Sequence, residues 1–166
     1  MTIAVVPGSF DPITNGHLDI ITRARAIFDE VVVGVAVNAR KTSLLSLEQR
    51  IELVHGAVKH LTNIRVVAVP GLVADFAREL GATALVKGVR GTVDLGDERQ
   101  QAVVNREMQG IETVLLPASP ETSFLSSSMI RDIASHGGNI AAWVPAGVPL
   151  ALADALADSR EPAAVA

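Results

Sequence analysis

Short runs of valine, isoleucine and alanine alternate along this chain with longer stretches whose apolar residues recur every three or four positions. The short runs span residues 3–6, 31–37, 64–69, 82–86 and 113–116. Near-continuous apolar runs of this length are typical of strands buried on both faces of a parallel sheet. Because helical patterns separate the runs, the chain is expected to form right-handed strand–helix–strand crossovers.

Start and stop signals mark the intervening helices. Ser46 and Gln49 form a capping-box pattern that begins one helix, and Gly81 ends another over residues 73–80. Further helical patterns cover residues 18–28, 94–108, 128–135 and 149–156. The sequence therefore predicts an α/β fold, a Rossmann-like doubly wound five-stranded parallel sheet with helices on both faces and a C-terminal helical segment. We expect a single domain over residues 1–157 and a disordered tail over residues 158–166.

Composition excludes several classes of function. The 166 residues contain no cysteine, so disulfides, thiolate metal sites and a cysteine nucleophile are excluded. A net charge of -4 and an aromatic content of 3% argue against a nucleic-acid partner. The longest apolar run, residues 31–37, is far shorter than the roughly 20 residues that span a bilayer, and no signal peptide is visible. We therefore expect a soluble, cytoplasmic protein without a membrane partner.

The first strand leads into a segment suited to binding an anion. Ligands of open α/β sheets bind beyond the carboxyl ends of the strands. Here Gly8 permits a tight turn and Ser9 adds a hydroxyl, while Thr14 is a candidate N-cap that places His17 in the first helical turn. Gly16 lets a phosphate approach that helix start closely, where free N–H groups favour anions. A solvent-facing histidine is the ordinary alternative, but the convergence of these features favours a phosphate contact.

Cations and hydroxyls follow three of the other predicted strands. Lys41 follows the second strand, Lys87 and Arg90 flank a glycine after the fourth, and three serines, 126–128, precede a helix that contains Arg131. Each feature alone is more often a solvated loop. Together, at one predicted sheet edge, they indicate a cradle for polyphosphate.

Several catalytic classes lack their motifs in this sequence. It contains neither the P-loop spacing nor a Gly-x-Ser-x-Gly elbow, and no histidine–carboxylate cluster has metal-ligand spacing. Phosphate-binding groups without an evident nucleophile or base favour phosphoryl or nucleotidyl transfer, in which positioning and charge stabilisation supply most of the catalysis.

The chain resembles the bacterial phosphopantetheine adenylyltransferases, a family of the nucleotidyltransferase superfamily with a T/H-x-G-H motif. The likeness runs from about residue 3 to about residue 156. Its matching segments are Pro7-Gly8-Ser9-Phe10-Asp11-Pro12, Thr14-Asn15-Gly16-His17, Lys41, Lys87-Gly88-Val89-Arg90 and Ser126-Ser127-Ser128.

The resemblance implies transfer of AMP from ATP to 4'-phosphopantetheine, giving dephospho-coenzyme A and pyrophosphate in coenzyme A biosynthesis, without a covalent intermediate. It also implies Mg²⁺ bound through the ATP phosphates, a homohexamer, and dephospho-coenzyme A or coenzyme A as product-like ligands. His17 would be the catalytic residue that stabilises the transition state. The acceptor would contact Ser9, Lys41, Val73 and Lys87. The nucleotide would contact Ser9, Phe10, His17, Gly88, Val89, Arg90, Glu98, Thr122, Ser123, Phe124, Leu125, Ser126, Ser127 and Ser128.

One segment departs from the family pattern. Where the family usually has an acidic-aromatic run, this chain has Asp94-Leu95-Gly96-Asp97-Glu98, and Gly96 costs about 1 kcal/mol relative to alanine inside a helix. Two alternatives therefore stay open at this point: another nucleotidyltransferase of the same superfamily that acts on a different phosphate, and a non-catalytic nucleotide-binding regulator.

Overall fold

The computed structural model describes residues 1–37 and 42–159 and contains a single parallel sheet. Its strands are β1 (Ile3–Gly8), β2 (Glu30–Ala36), β3 (Ile64–Val69), β4 (Ala84–Val89) and β5 (Glu112–Pro117). The helices of the described residues are α1 (Asn15–Arg25), α2 (Leu47–Val58), α3 (Val73–Glu79), α4 (Thr92–Gln109), α5 (Ser127–Ser135) and α6 (Val148–Asp158). The predicted doubly wound α/β fold is confirmed.

The order of the strands reverses in the middle of the sheet. The order is β3-β2-β1-β4-β5, so the chain moves outward from β1 to β3, crosses back and then moves outward in the other direction. Pairing between β1 and β4 covers only Ala4↔Ala84 and Val5↔Leu85, although both strands continue several residues further. The two strands therefore part at their carboxyl ends, and this reversal point is where an open α/β sheet binds ligands.

Two apolar layers cover the sheet. Alternate strand residues such as Val33 and Val86 pack with α1, α2, α5 and α6 on one face. The residues between them, Val5, Val32 and Leu85, pack with α3 on the other face. Because both faces are covered, the strands are apolar almost without interruption, which is the pattern that the sequence shows.

Capping side chains begin the first two helices as the sequence predicts. The Thr14 side chain accepts a hydrogen bond from the main-chain N–H of His17, and the His17 side chain accepts one from the N–H of Thr14. Ser46 and Gln49 form the same reciprocal pair at the start of α2. Each pair satisfies donors that a helix start leaves free.

Three predicted boundaries need correction. β4 begins at Ala84 and runs to Val89, so Lys87 and Gly88 lie within the strand instead of after it. The reason is tertiary, because pairing with β5 continues through Val89↔Pro117 and extends the strand past its apolar run. β1 likewise includes Pro7 and Gly8. At the other end α6 includes Asp158, and residues 160–166 of the predicted tail lie outside the described residues.

None of the helices over residues 1–37 and 42–159 has the length and apolar character needed to cross a bilayer.

Candidate active site

A cavity of about 310 Å³ lies where β1 and β4 part. Its walls bring together segments that are far apart in sequence. Phe10 and His17 come from the β1–α1 segment, Lys87, Gly88 and Arg90 from β4 and its end, Glu98 from α4, and Thr122, Leu125, Ser126, Ser127 and Ser128 from the segment that enters α5. Lys87, Arg90 and the three serines of the predicted cluster therefore line one cavity, whereas Arg131 does not.

His17 is a neutral hydrogen-bond donor in this cavity. Burial, and then the charges of Arg90 and Lys87, lower the pKa of His17 from 6.5 to about 4. Its Nδ1 lies 3.0 Å from the main-chain nitrogen of Thr14, whose N–H it accepts. A neutral ring that accepts at Nδ1 carries its proton on Nε2. His17 is therefore neutral at pH 7 and adds nothing to the positive charge of Lys87 and Arg90 in the cavity.

The Phe10 side chain packs against the His17 ring. Phe10 adopts a left-handed backbone conformation with φ 48, which costs a side-chain-bearing residue energy, and its side chain is 2% exposed. The ring lies edge-on to His17 with centroids 5.1 Å apart. A Cβ at position 8 would lie 2.9 Å from the ring, so Gly8 is required by the Phe10 side chain. The resemblance assigns Phe10 to the nucleotide, and that role stays a prediction.

Lys87 and Arg90, the lysine and arginine that line the cavity in the described part of the chain, are paired with carboxylates of α4. Lys87 Nζ lies 3.2 Å from Glu98 Oε1. The Arg90 guanidinium contacts both Asp94 oxygens, at 2.6 and 3.1 Å, and these hydrogen bonds lower the pKa of Asp94. Glu98 Oε2 is buried without a hydrogen-bond partner in the described part of the chain. These four side chains carry no net charge, so a bound polyanion has to compete with Asp94 and Glu98 for the cations.

Two of the three serines that enter α5 have structural hydrogen bonds. Ser126 Oγ accepts from the N–H of Met129 and caps the helix, and Ser127 Oγ donates to the Pro12 carbonyl at 2.8 Å. Ser126 only accepts in this pair, so its O–H can still donate to an anion, whereas the Ser127 O–H is directed at Pro12. Ser127 thereby ties α5 to the segment after β1. Contact of the three serines with an anion stays a prediction.

Comparison with known proteins identifies the family. A family model described as Cytidylyltransferase-like matches residues 5–133. Proteins named phosphopantetheine adenylyltransferase match almost end to end. The one from Bifidobacterium longum is 46% identical over 97% of this chain and 98% of its own length, and the one from Cutibacterium acnes is 50% identical over 90% and 95%. The chain belongs to the phosphopantetheine adenylyltransferase family.

A more distant protein shares the fold of this phosphopantetheine adenylyltransferase family member. The solved structure of a Vibrio parahaemolyticus protein, provisionally described as a nicotinate-nucleotide adenylyltransferase, superimposes with a TM-score of 0.66. It is 19% identical and covers 94% of this chain and 95% of its own. At that identity the likeness shows the fold alone.

Some residues that the family resemblance assigns to binding are not among those that line the cavity. Those not on its described walls are Ser9, Val73, Val89, Ser123 and Phe124. Val73 begins α3 and packs with the core layer on the second face of the sheet. Phe124 is half-exposed and lies edge-on to Trp143. Lys41 lies outside the described residues. The binding roles of these residues stay predictions.

The segment after β1 depends on two charged residues, Asp11 and Arg131, whose partners the sequence does not reveal. Asp11, which is 6% exposed, accepts the N–H groups of Leu44 and Leu45 at 2.9 Å each. Arg131 donates to the Asp11 carbonyl and lies 3.5 Å from its Oδ2. Arg131 therefore holds the Asp11 segment and is not among the residues that line the cavity. Its contact with an anion beside the serines stays a prediction.

Arg50 belongs to none of the sequence motifs, yet it supports the same segment. It is buried in α2 and donates to the carbonyls of Ser9 and Ala36. A signal was available in the sequence, because Arg50 lies one turn before Val54 on the side of α2 that should be apolar. A charged residue at such a position needs a specific partner.

Proposed function

We propose that this chain transfers the adenylyl group of ATP to 4'-phosphopantetheine, giving dephospho-coenzyme A and pyrophosphate. The observation that carries the proposal is that His17, Lys87 and Arg90 line one cavity at the strand-order reversal. Family membership supports the choice of acceptor, since relatives at 42% to 50% identity are named for phosphopantetheine.

The reaction needs no general base. A phosphate monoester loses most of its second proton by pH 7, since that pKa is about 6. One of its oxygens attacks the α-phosphorus of ATP, and the bond from that phosphorus to the bridging oxygen breaks. The electron pair leaves with pyrophosphate. The main barriers are the repulsion between two polyanions and the charge that develops at the α-phosphate, so the protein's task is alignment and charge stabilisation.

The proposed role of His17 follows from its protonation state. The Nε2–H of the neutral ring donates a hydrogen bond to an α-phosphate oxygen, and this bond strengthens as negative charge grows on that oxygen. Thr14 and Phe10 hold the ring, so little reorganisation is needed during the reaction. Lys87 and Arg90 supply positive charge once the substrate phosphates displace Glu98 and Asp94 from them.

The proposal includes Mg²⁺ carried by the ATP phosphates. Within residues 1–37 and 42–159, no group of three histidine, aspartate or glutamate side chains is placed to hold a metal ion. In the proposed complex the ion would instead be held mainly by phosphate oxygens and water, as Mg²⁺ often is. When bound there, the ion would neutralise charge on the polyphosphate.

We also propose a homohexamer, and α4 supports self-association. This helix spans 18 residues without a buried one. Its exposed apolar side chains are Val93, Leu95, Val103, Val104 and Met108. A surface helix of this kind is a candidate for contact with another copy. Native mass spectrometry of the wild type and of Val104→Glu tests this, because the substitution should shift the hexamer toward smaller species.

The remaining partners follow from the proposed reaction. The protein would work in the cytoplasm on ATP and phosphopantetheine, without nucleic acid or membrane as a partner. Dephospho-coenzyme A or coenzyme A would compete for the acceptor's place, since each shares the phosphopantetheine arm.

Pyrophosphate release from ATP and Mg²⁺, with and without 4'-phosphopantetheine, tests the function. We expect release only when the acceptor is present, with equimolar dephospho-coenzyme A detected by mass spectrometry. Turnover with a different phosphate acceptor alone would support another nucleotidyltransferase. ATP binding without turnover on any acceptor would support a regulator. The exposed-histidine variant His55→Ala is a matched control for changes at His17, because His55 lies on α2 away from the cavity.

A further inference from the structure

The Arg50 side chain joins the ends of two strands beneath the candidate active site. It is 3% exposed, and its Nη1 lies 2.7 Å from the Ser9 carbonyl oxygen and 3.0 Å from that of Ala36. Its Nε donates to the Ser46 carbonyl at 3.3 Å, which ties the guanidinium to the start of its own helix. One planar group therefore holds β1, β2 and α2 together.

Both carbonyls lie just beyond the end of the β1–β2 ladder, although Ala36 still pairs with Val69 of β3. The β1–β2 ladder ends at the pair Gly8↔Val35, and the next residues along each strand are Ser9 and Ala36. Buried carbonyls beyond the end of a ladder need another donor. A guanidinium offers several N–H groups in a rigid planar fork, which suits two neighbouring carbonyls better than an ammonium does.

Packing alone does not account for an arginine at this position. Among the described residues, no carboxylate forms an ion pair with Arg50, so its charge is solvated by carbonyl dipoles. Burying a charge in this way is costly, and an apolar residue would suit the neighbouring Val54 and Val58 better.

We propose that Arg50 is a positioning residue for adenylyl transfer. This inference rests on the proposed function and deepens it. Arg50 does not line the cavity and acts through the main chain on two sides. On one side it fixes Ser9, which leads into Phe10 and so to the His17 ring. On the other it fixes Ala36 at the carboxyl end of β2, beside the end of β1.

The test compares Arg50→Lys with Arg25→Lys. Arg25 also donates to a main-chain carbonyl, that of Thr62, but does so before the amino end of β3, at the opposite edge of the sheet. For each variant, isothermal titration with ATP counts competent sites, and kcat is expressed per competent site. For Arg50→Lys we expect kcat to fall about 10- to 100-fold, as misalignment of reacting groups does, while KM for ATP changes much less. Arg25→Lys should keep wild-type kcat.

The outcomes separate this proposal from the function on which it rests. If the wild type shows no phosphopantetheine-dependent turnover, the proposed function fails first. If the wild type turns over and Arg50→Lys keeps wild-type kcat per competent site, the positioning role is overturned, even if the melting temperature falls. Arg50→Gln, which leaves no charge to bury, is measured the same way if Arg50→Lys does not fold. Failure of both variants to fold would also overturn the proposal, because Arg50 would then be required for folding itself.

Discussion

Replacing His17 with glutamine tests the neutral state of the ring without dismantling the helix start. Glutamine is the ordinary third-position partner of a capping box, and this chain already uses it at Ser46 and Gln49. In His17→Gln the amide oxygen can accept the N–H of Thr14, as Nδ1 does in the wild type. The substitution therefore removes a titratable group and keeps the hydrogen bond.

The magnitude follows from the pKa of His17. Because burial lowers that pKa from 6.5 to about 4, the unfolded chain binds a proton in a pH range where the folded chain does not. Above about pH 6.5 His17 is neutral in both states, and its titration does not change the free energy of unfolding. As the pH falls from about 6.5 toward 4, protonation of the unfolded chain lowers that free energy. The full shift corresponds to about 3 kcal/mol, of which about 2 kcal/mol should be lost between about pH 8 and about pH 5.

Urea denaturation of the wild type and of His17→Gln, at those two pH values and one chain concentration, measures this loss. Other titrating groups are common to both proteins, so the difference between them isolates His17. The wild type should lose about 2 kcal/mol more than the variant on acidification. NMR titration of the four histidines gives an independent check, since one of them should stay neutral to about pH 4. Parallel stability curves together with a His17 midpoint near 6.5 would refute the reasoning.

Three further predictions concern the same region. His17→Ala should reduce kcat by about 10²- to 10³-fold, because it removes the donor to the α-phosphate. His17→Gln offers an amide N–H and should retain part of the wild-type kcat. Equal loss of turnover by both variants in steady-state assays would contradict a neutral donor. Gly88→Ala should destabilise the fold by about 1–3 kcal/mol, since the new Cβ would lie 2.8 Å from Ile20 Cγ1. An unchanged midpoint of urea denaturation would show that α1 moves aside freely. Asp11→Asn should lower the free energy of unfolding by about 1–3 kcal/mol, because one of the two main-chain donors, Leu44 or Leu45, loses its acceptor. A variant as stable as the wild type by calorimetry would argue against that pairing.

The fold and the location of the site could be predicted because both depend on local patterns. Near-continuous apolar runs mark the five strands, and the reciprocal caps at Thr14 and Ser46 mark two helix starts. A parallel sheet with such connections brings the carboxyl ends of its strands to one edge. His17, Lys87 and the serines could therefore be assigned to a common site from their distance after each run.

The protonation states and ion pairs of that site could not be predicted, because they depend on which groups face each other across the fold. The protonation of His17 follows from burial and from the charges of Lys87, on β4, and Arg90, just after it. The pairing of Lys87 with Glu98 requires the α4–β4 packing, and spacing in the sequence does not express it.

The sequence by itself determined the secondary structure, the family and the edge of the sheet where phosphates would bind. Only the tertiary structure decided which charged residues are exposed to a ligand and which hold the chain. Arg90 lines the cavity, whereas Arg50 and Arg131 bind main-chain carbonyls around the segment after β1. The physical reason is that a guanidinium binds a carbonyl or a phosphate through the same N–H groups. Its role is therefore set by the acceptor that the fold places opposite it.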